Sequence, residues 1–161
     1  MPEVYLICGR ICCGKTTYSE KICKENNAVL LSVDEIMLSM FDQCCGEKLH
    51  MEYERRIKKY LLDKSLEILQ KGLNVVLDWG FWTKEERDSI KNFYASRNIN
   101  CVLYYIEVSD EIWKYRLAKR NKGVLAGEAK AYFMSDENAL KFSSRFSPPD
   151  EDEVDVFIKE D

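Results

Sequence analysis

Long apolar runs are missing from this sequence, and no stretch of it would span a bilayer as a helix. An excess of positive charge is missing too. The formal net charge is -4 and the pI is about 5.2, which argues against a chain that holds nucleic acid or a membrane surface mainly by charge. The opening residues, MPEVYLICGR, have neither the basic flank nor the small-residue cleavage site of a signal peptide, so a cytoplasmic location is expected. Histidine occurs once, at His50, and none of the seven cysteines (Cys8, Cys12, Cys13, Cys23, Cys44, Cys45, Cys101) falls in a Cys-x-x-Cys pair. A zinc site would therefore need an unusual ligand set. Reduced thiols, several of them acting as small core residues, are expected instead. No internal repeat, low-complexity tract or linker divides the chain. At 161 residues and 46% hydrophobic content, residues 1–161 are expected to form one domain with a sizeable core.

Five β-rich runs stand out: Val4–Cys8, Val29–Val33, Asn74–Trp79, Cys101–Val108 and Val154–Ile158. The first four are almost continuously apolar, the pattern of strands buried on both faces of a parallel sheet. Helical stretches lie between them, so strand and helix alternate as in an α/β fold. One helix is expected from Lys15 to Lys24, a short one after Asp34, and a long one from about Glu47 to Lys71. Tyr53, Ile57, Tyr60, Leu61, Ile68 and Leu69 give the long helix an apolar stripe. Gly72 is placed to stop it. Thr83 and Ser109 are expected to cap two more helices, each with acids in its first turn. Gly123 is the expected stop of the second. Residues 126–144 read as one or two short helices, and Ser147–Glu153, SPPDEDE, as a rigid acidic loop.

The segment Gly9–Thr17, GRICCGKTT, follows the first strand and opens the first helix. Its spacing Gly9-x-x-x-x-Gly14-Lys15-Thr16 is that of a phosphate-cradling loop. Gly9 and Gly14 let the backbone turn tightly and approach phosphates closely. The amides of Arg10, Ile11, Cys12, Cys13 and Gly14 turn inward as anion donors, and the helix N-terminus adds partial positive charge. Lys15 would reach the β- and γ-phosphates, and the Thr16 hydroxyl would ligate Mg²⁺. Cys12 and Cys13 fill positions where small side chains suit the curve.

In an open parallel sheet, ligands bind beyond the carboxyl ends of the strands. Asp34 stands there after the second strand. It is placed to accept a proton from an attacking hydroxyl, or to cap the helix that follows. Asp78 closes the third strand in the form of a Mg²⁺-supporting acid. Trp79, Phe81 and Trp82 come next, either walling an acceptor pocket or packing beneath the following helix. Arg87 is one turn into that helix, within reach of the same strand end. Arg116 and Arg120, four apart on one helix face, are placed either to close over transferring phosphates or to form a basic surface. His50 has no visible partner and is expected on the surface of the long helix.

Taken in order, the N-terminal phosphate loop, Asp34, the VVLDWGFWTKEER stretch, the RLAKRN lid and the Pro-Pro loop resemble the P-loop kinases of the zeta toxin, chloramphenicol phosphotransferase and polynucleotide kinase group, AAA-type ATP-binding kinase-like proteins. The resemblance covers nearly the whole chain. It implies a three-layer αβα sandwich of the P-loop NTPase type, with five parallel strands in the order 2-3-1-4-5. It implies ATP with Mg²⁺ as phosphoryl donor, Asp34 binding or deprotonating the acceptor, and Arg116 and Arg120 on the donor phosphates. The loop at Ser147–Asp150, with Pro149, would help hold the adenine. The expected function is transfer of the ATP γ-phosphate to a hydroxyl of a small molecule, with Asp34, Asp78, Trp79, Phe81 and Arg87 at the acceptor. A nucleotide-dependent switch without an acceptor is the alternative. A nucleic-acid 5′-hydroxyl kinase is a third possibility, disfavoured by the acidic balance.

Overall fold

The computed structural model describes residues 1–161. Five parallel strands form one sheet in the order β2-β3-β1-β4-β5, as expected. They are β1 (Val4–Cys8), β2 (Ala28–Ser32), β3 (Asn74–Gly80), β4 (Cys101–Val108) and β5 (Val156–Glu160). Helices α1 (Lys15–Asn26), α2 (Val33–Met40), α3 (Glu47–Gln70), α4 (Lys84–Ala95), α5 (Asp110–Leu125) and α6 (Asp136–Ser144) make up the rest, with a 3₁₀ turn at Glu151–Glu153.

Strand β1 is central and completely buried. Its residues divide by alternation between two cores. Val4, Leu6 and Cys8 join Val75, Leu77 and Trp79 of β3, beneath Leu61 and Leu69 of α3 and Ile90 and Tyr94 of α4. Tyr5 and Ile7 face the other way, with Val76 and Ile106, against Ile22 of α1 and Trp113 and Leu117 of α5. Thiols serve as core residues at Cys8 and Cys13. Burial pushes the Cys8 thiol up to about 12, so it stays protonated.

Several boundaries shift, each for a local reason. Val33 leaves β2 and begins α2, because Ser32 caps that helix by accepting a hydrogen bond from the Glu35 amide. Asp34 is therefore not the cap but a first-turn residue. Gly123 does not end α5, which runs on to Leu125. A Cβ at Gly123 would lie 3.0 Å from the Ala129 Cβ, so the glycine admits the returning chain. Residues 126–135 connect α5 to α6 without regular structure, and only Asp136–Ser144 is helical. β5 begins at Val156, two residues late, because the Asp155 carboxylate accepts from the Leu103 amide at 2.7 Å. Tyr60, placed in the α3 stripe by sequence, is 59% exposed. The stops and caps at Gly72, Thr83 and Ser109 are where they were expected.

Candidate active site

The turn after β1 is built so that only glycine fits its first corner. A Cβ on Gly9 would meet Cys13 Sγ at 2.5 Å and the Ile106 carbonyl at 2.9 Å. Gly14 adopts φ +99°, in the left-handed region, immediately before α1. Between them the loop is held from outside. Ile11 is buried in the α5-side core, and its carbonyl accepts from Trp113 Nε1 at 2.8 Å. Arg10 turns away to Asp110 at 2.9 Å and lies over the Trp113 ring. Cys12 is half-buried and Cys13 fully so. Thr17 is exposed on the first turn of α1.

Lys15 curls back over the loop, and its ammonium donates to the Arg10 carbonyl at 2.8 Å. The Thr16 hydroxyl donates to Asp78 Oδ2 at 3.0 Å. This joins the helix start to the end of β3. Asp78 is 8% exposed. Burial raises its pKa, against the lowering effects of Lys15 and the Thr16 hydrogen bond. Asp34 stands across from this pair in the first turn of α2. It is exposed to solvent. Desolvation raises its pKa, Lys15 opposes that, and Glu54, Arg120 and His50 also bear on it.

Arg116 and Arg120 of α5 both reach the phosphate loop. Arg116 Nη1 donates to the Cys13 carbonyl at 2.7 Å, and its Nη2 pairs with Glu160 at 2.5 Å. Arg120 Nη1 lies 3.2 Å from Cys12 Sγ, while its Nε is buried without a partner in the protein. Tyr18 and Glu160, which sequence did not single out, meet at 2.9 Å beside Arg116.

Other expected site residues point elsewhere. Trp79 and Phe81 stack in the core under α3 and α4, and Trp79 Nε1 donates to the Leu31 carbonyl at 3.0 Å. Arg87 is 1% exposed. Its guanidinium is bidentate to Glu153 at 3.0 and 3.3 Å and donates to the carbonyls of Phe81 and Ser147. Pro149 belongs to the segment that this arginine fastens to α4. Its neighbour Pro148 borders a cavity of about 300 Å³ with Arg10, Tyr105, Asp110 and Phe146. Only Trp82 of the three aromatics turns toward the top of the sheet, against Phe142 of α6. His50 is not a plain surface residue. It is half-buried and meets the Tyr132 ring edge-on at 5.3 Å. Its position four before Glu54 on α3 was a readable hint, whereas Tyr132 sits in a stretch with no periodicity.

No curated protein matches the chain in sequence. Among solved structures, a putative kinase from Chloroflexus aurantiacus is similar over 99% of this chain and 85% of its own, at 16% identity and TM-score 0.73. Kti12 of Chaetomium thermophilum, in complex with ADP-AlF3, is similar over 97% of this chain and 87% of its own, at 12% identity and TM-score 0.71. The APS kinase CysC of Mycobacterium tuberculosis, in complex with AMPPNP and APS, is similar over 98% of this chain and 88% of its own, at 16% identity and TM-score 0.61. These likenesses show the P-loop kinase-like fold. With a family model matching residues 4–149, the chain belongs to the AAA domain family.

Proposed function

We propose that this chain is an ATP-dependent phosphotransferase, acting as one kinase-like domain over residues 1–161, that moves the γ-phosphoryl group to a hydroxyl of a small molecule. The observation that carries the reading is the placement of Asp34. Its carboxylate stands in the first turn of α2, directly after β2 at the carboxyl end of the sheet, within the field of Lys15. A nucleotide switch that uses water has no need to orient a second substrate. A kinase needs one to orient its acceptor hydroxyl and receive the proton. The APS kinase structure, with AMPPNP and APS together, is an instance of this fold holding a donor and an acceptor at once.

In this reading the amides of Gly9–Thr17 and the start of α1 cradle the phosphates. Lys15 exchanges its bond to the Arg10 carbonyl for the β- and γ-phosphate oxygens. Arg116 and Arg120, already on the loop, supply positive charge to the transferring group. Asp34 takes the proton as the acceptor oxygen bonds to the γ-phosphorus. The bond from that phosphorus to the β–γ bridging oxygen breaks, and ADP leaves.

Mg²⁺ fits the residues present. No group of three His, Cys, Asp or Glu side chains forms a cage. Mg²⁺ characteristically keeps its waters and takes few protein ligands plus substrate phosphates. Thr16 would hold it directly and Asp78, 3.0 Å from that hydroxyl, through water. When bound it neutralises charge on the β- and γ-phosphates.

Trp79, Phe81 and Arg87 are assigned to shaping the acceptor side from behind, and Pro149 to the fold. The order of loop, Asp34, Asp78 and lid arginines favours the zeta toxin, chloramphenicol phosphotransferase and polynucleotide kinase group within the wider family. Seven free thiols favour a reducing cytoplasm.

The test uses γ-labelled ATP and Mg²⁺ with a panel of hydroxyl-bearing compounds. Label should appear in at least one acceptor, Lys15→Ala should abolish transfer, and Asp34→Asn should abolish it while still binding ATP. Free phosphate as the sole labelled product, at equal rates in the native and Asp34→Asn proteins, would refute the reading.

A further inference from the structure

Next to Asp34 of α2, two further segments bring their side chains to one recess that the phosphate loop does not use. His50 and Glu54 come from successive turns of α3, and Tyr132 from the α5–α6 connection. The His50 and Tyr132 rings meet edge-on at 5.3 Å. His50 Nδ1 and the Tyr132 hydroxyl are both buried and have no hydrogen-bond partner in the protein. Burying two polar atoms unpaired is costly, and two such atoms on rings that meet near a proposed base call for a ligand that satisfies them.

The backbone around Tyr132 is fixed from two sides. One carboxamide, Gln43 in the α2–α3 connection, donates to the Ala131 carbonyl at 2.9 Å and accepts from the Phe133 amide at 2.8 Å. A second, Asn121 on α5, donates to the Met134 carbonyl at 2.6 Å and accepts from its amide at 2.9 Å. Ala131, Phe133 and Met134 are thus strapped between α5 and the α2–α3 connection, with Tyr132 held between them against His50.

The charge of this recess selects its ligand. The charged residues that bear on Tyr132 are Asp34 and Glu54, both acidic. The nearest lysine on α3, Lys58, is already taken up by Glu54 at 2.9 Å and Glu86 at 2.7 Å. Lys15 and Arg120 bear on Asp34, but both stand on the phosphate loop. An anionic ligand would meet carboxylates, with Lys15 and Arg120 committed to the donor phosphates in the proposed reaction. An uncharged ligand with adjacent hydroxyls meets a carboxylate that accepts, and an imidazole and a phenol that can each donate or accept.

We propose that Asp34, His50, Glu54 and Tyr132 form the acceptor subsite, and that it takes a small uncharged polyol, one hydroxyl at Asp34 and its neighbours at His50 Nδ1 and the Tyr132 hydroxyl. The proposal rests on the phosphotransfer reading for the word acceptor, but its binding half can be tested alone.

Because His50 is the sole histidine, ¹³C-histidine labelling gives one set of imidazole NMR signals. With Mg²⁺ and a non-hydrolysable ATP analogue bound, glycerol, myo-inositol, ribose and glucose are titrated in turn. Gluconate, glucuronate and a 5′-hydroxyl dinucleotide follow. At least one polyol should move the His50 signals, and Tyr132→Phe should weaken that polyol about tenfold without changing affinity for the ATP analogue. Movement only with the acids or the dinucleotide, or with no member of the panel, overturns the proposal. Label transfer is measured on the same panel. Transfer to a sugar acid alone refutes the uncharged class and leaves phosphotransfer standing. A polyol that moves His50 but never receives label leaves the subsite standing and refutes phosphotransfer.

Discussion

Arg87 offers a sharp test of structure against sequence, because sequence places it at the acceptor and the structure makes it a brace. Its guanidinium is 1% exposed and its partner Glu153 9%. The two meet through a bidentate pair, while Arg87 also donates to the Phe81 and Ser147 carbonyls. Glu153→Ala leaves that guanidinium buried without its counter-charge. Breaking a buried pair from one side costs about 3–5 kcal/mol, against roughly 0–1 kcal/mol for an exposed one. In a protein of this size that is a loss of roughly 6–20 °C in Tm. Glu153→Gln, which keeps an acceptor oxygen, should fall between. The hydrogen bond from Arg87 is the main cause that holds the Glu153 pKa down, from 4.5 to about 2. A depressed carboxylate pKa means that the native state holds fewer protons than the unfolded chain. The pair therefore contributes fully above pH 4.5 and progressively less as pH falls toward 2, so the Glu153→Gln deficit should shrink over that window. Urea unfolding of the three proteins between about pH 3 and pH 7 measures this. A Glu153→Ala loss below about 1 kcal/mol would refute the buried brace. So would intact stability with a raised acceptor KM, which would return Arg87 to the acceptor site.

Three further outcomes follow from the site. Gly9→Ala should impair both folding and nucleotide binding, because its Cβ would lie 2.5 Å from Cys13 Sγ and 2.9 Å from a backbone carbonyl; calorimetric titration with an ATP analogue reads the loss, and native affinity would contradict the tight corner. Thr16→Val should leave the fold intact and raise the Mg²⁺ needed for half-maximal transfer, since it removes the hydroxyl 3.0 Å from Asp78; an unchanged Mg²⁺ dependence would remove Thr16 from the metal. The acid limb of transfer against pH should fall above the ordinary Asp value of 3.8, because desolvation raises the Asp34 pKa while Lys15 and Arg120 oppose the rise. Arg120→Gln, by removing one opposing charge, should move that limb to still higher pH in the residual activity, and a limb that moves down or stays put would disconnect it from Asp34.

What sequence could and could not reveal follows from the range of the interactions. The phosphate loop is legible because its parts are contiguous: strand, Gly9, Gly14, Lys15, Thr16 and helix follow one another along the chain. The sheet is legible because both-face burial writes continuous apolar runs. The fate of Trp79 and Phe81 was also within reach. Val75, Leu77, Trp79 and Phe81 are spaced two apart along β3 and just past its end, and all enter the α3–α4 core, while Asp78 has the other parity and meets Thr16 on α1. Alternation alone thus separates the acid that faces the phosphate loop from the aromatics that do not. Arg87 was beyond such reading, because a buried arginine announces that an acid must pair with it but not which one. Glu153 lies 66 residues away, in a loop where several acids were equally eligible. The His50–Tyr132 recess was less legible still. It exists because Gln43 and Asn121 strap the α5–α6 connection from two sides, and each strap is a pair of backbone bonds that any side chain at Ala131, Phe133 or Met134 would allow. The proposed donor half of the site is therefore written in local spacing and the proposed acceptor half in distant contacts, which is why the sequence points to a phosphate loop before it points to any acceptor.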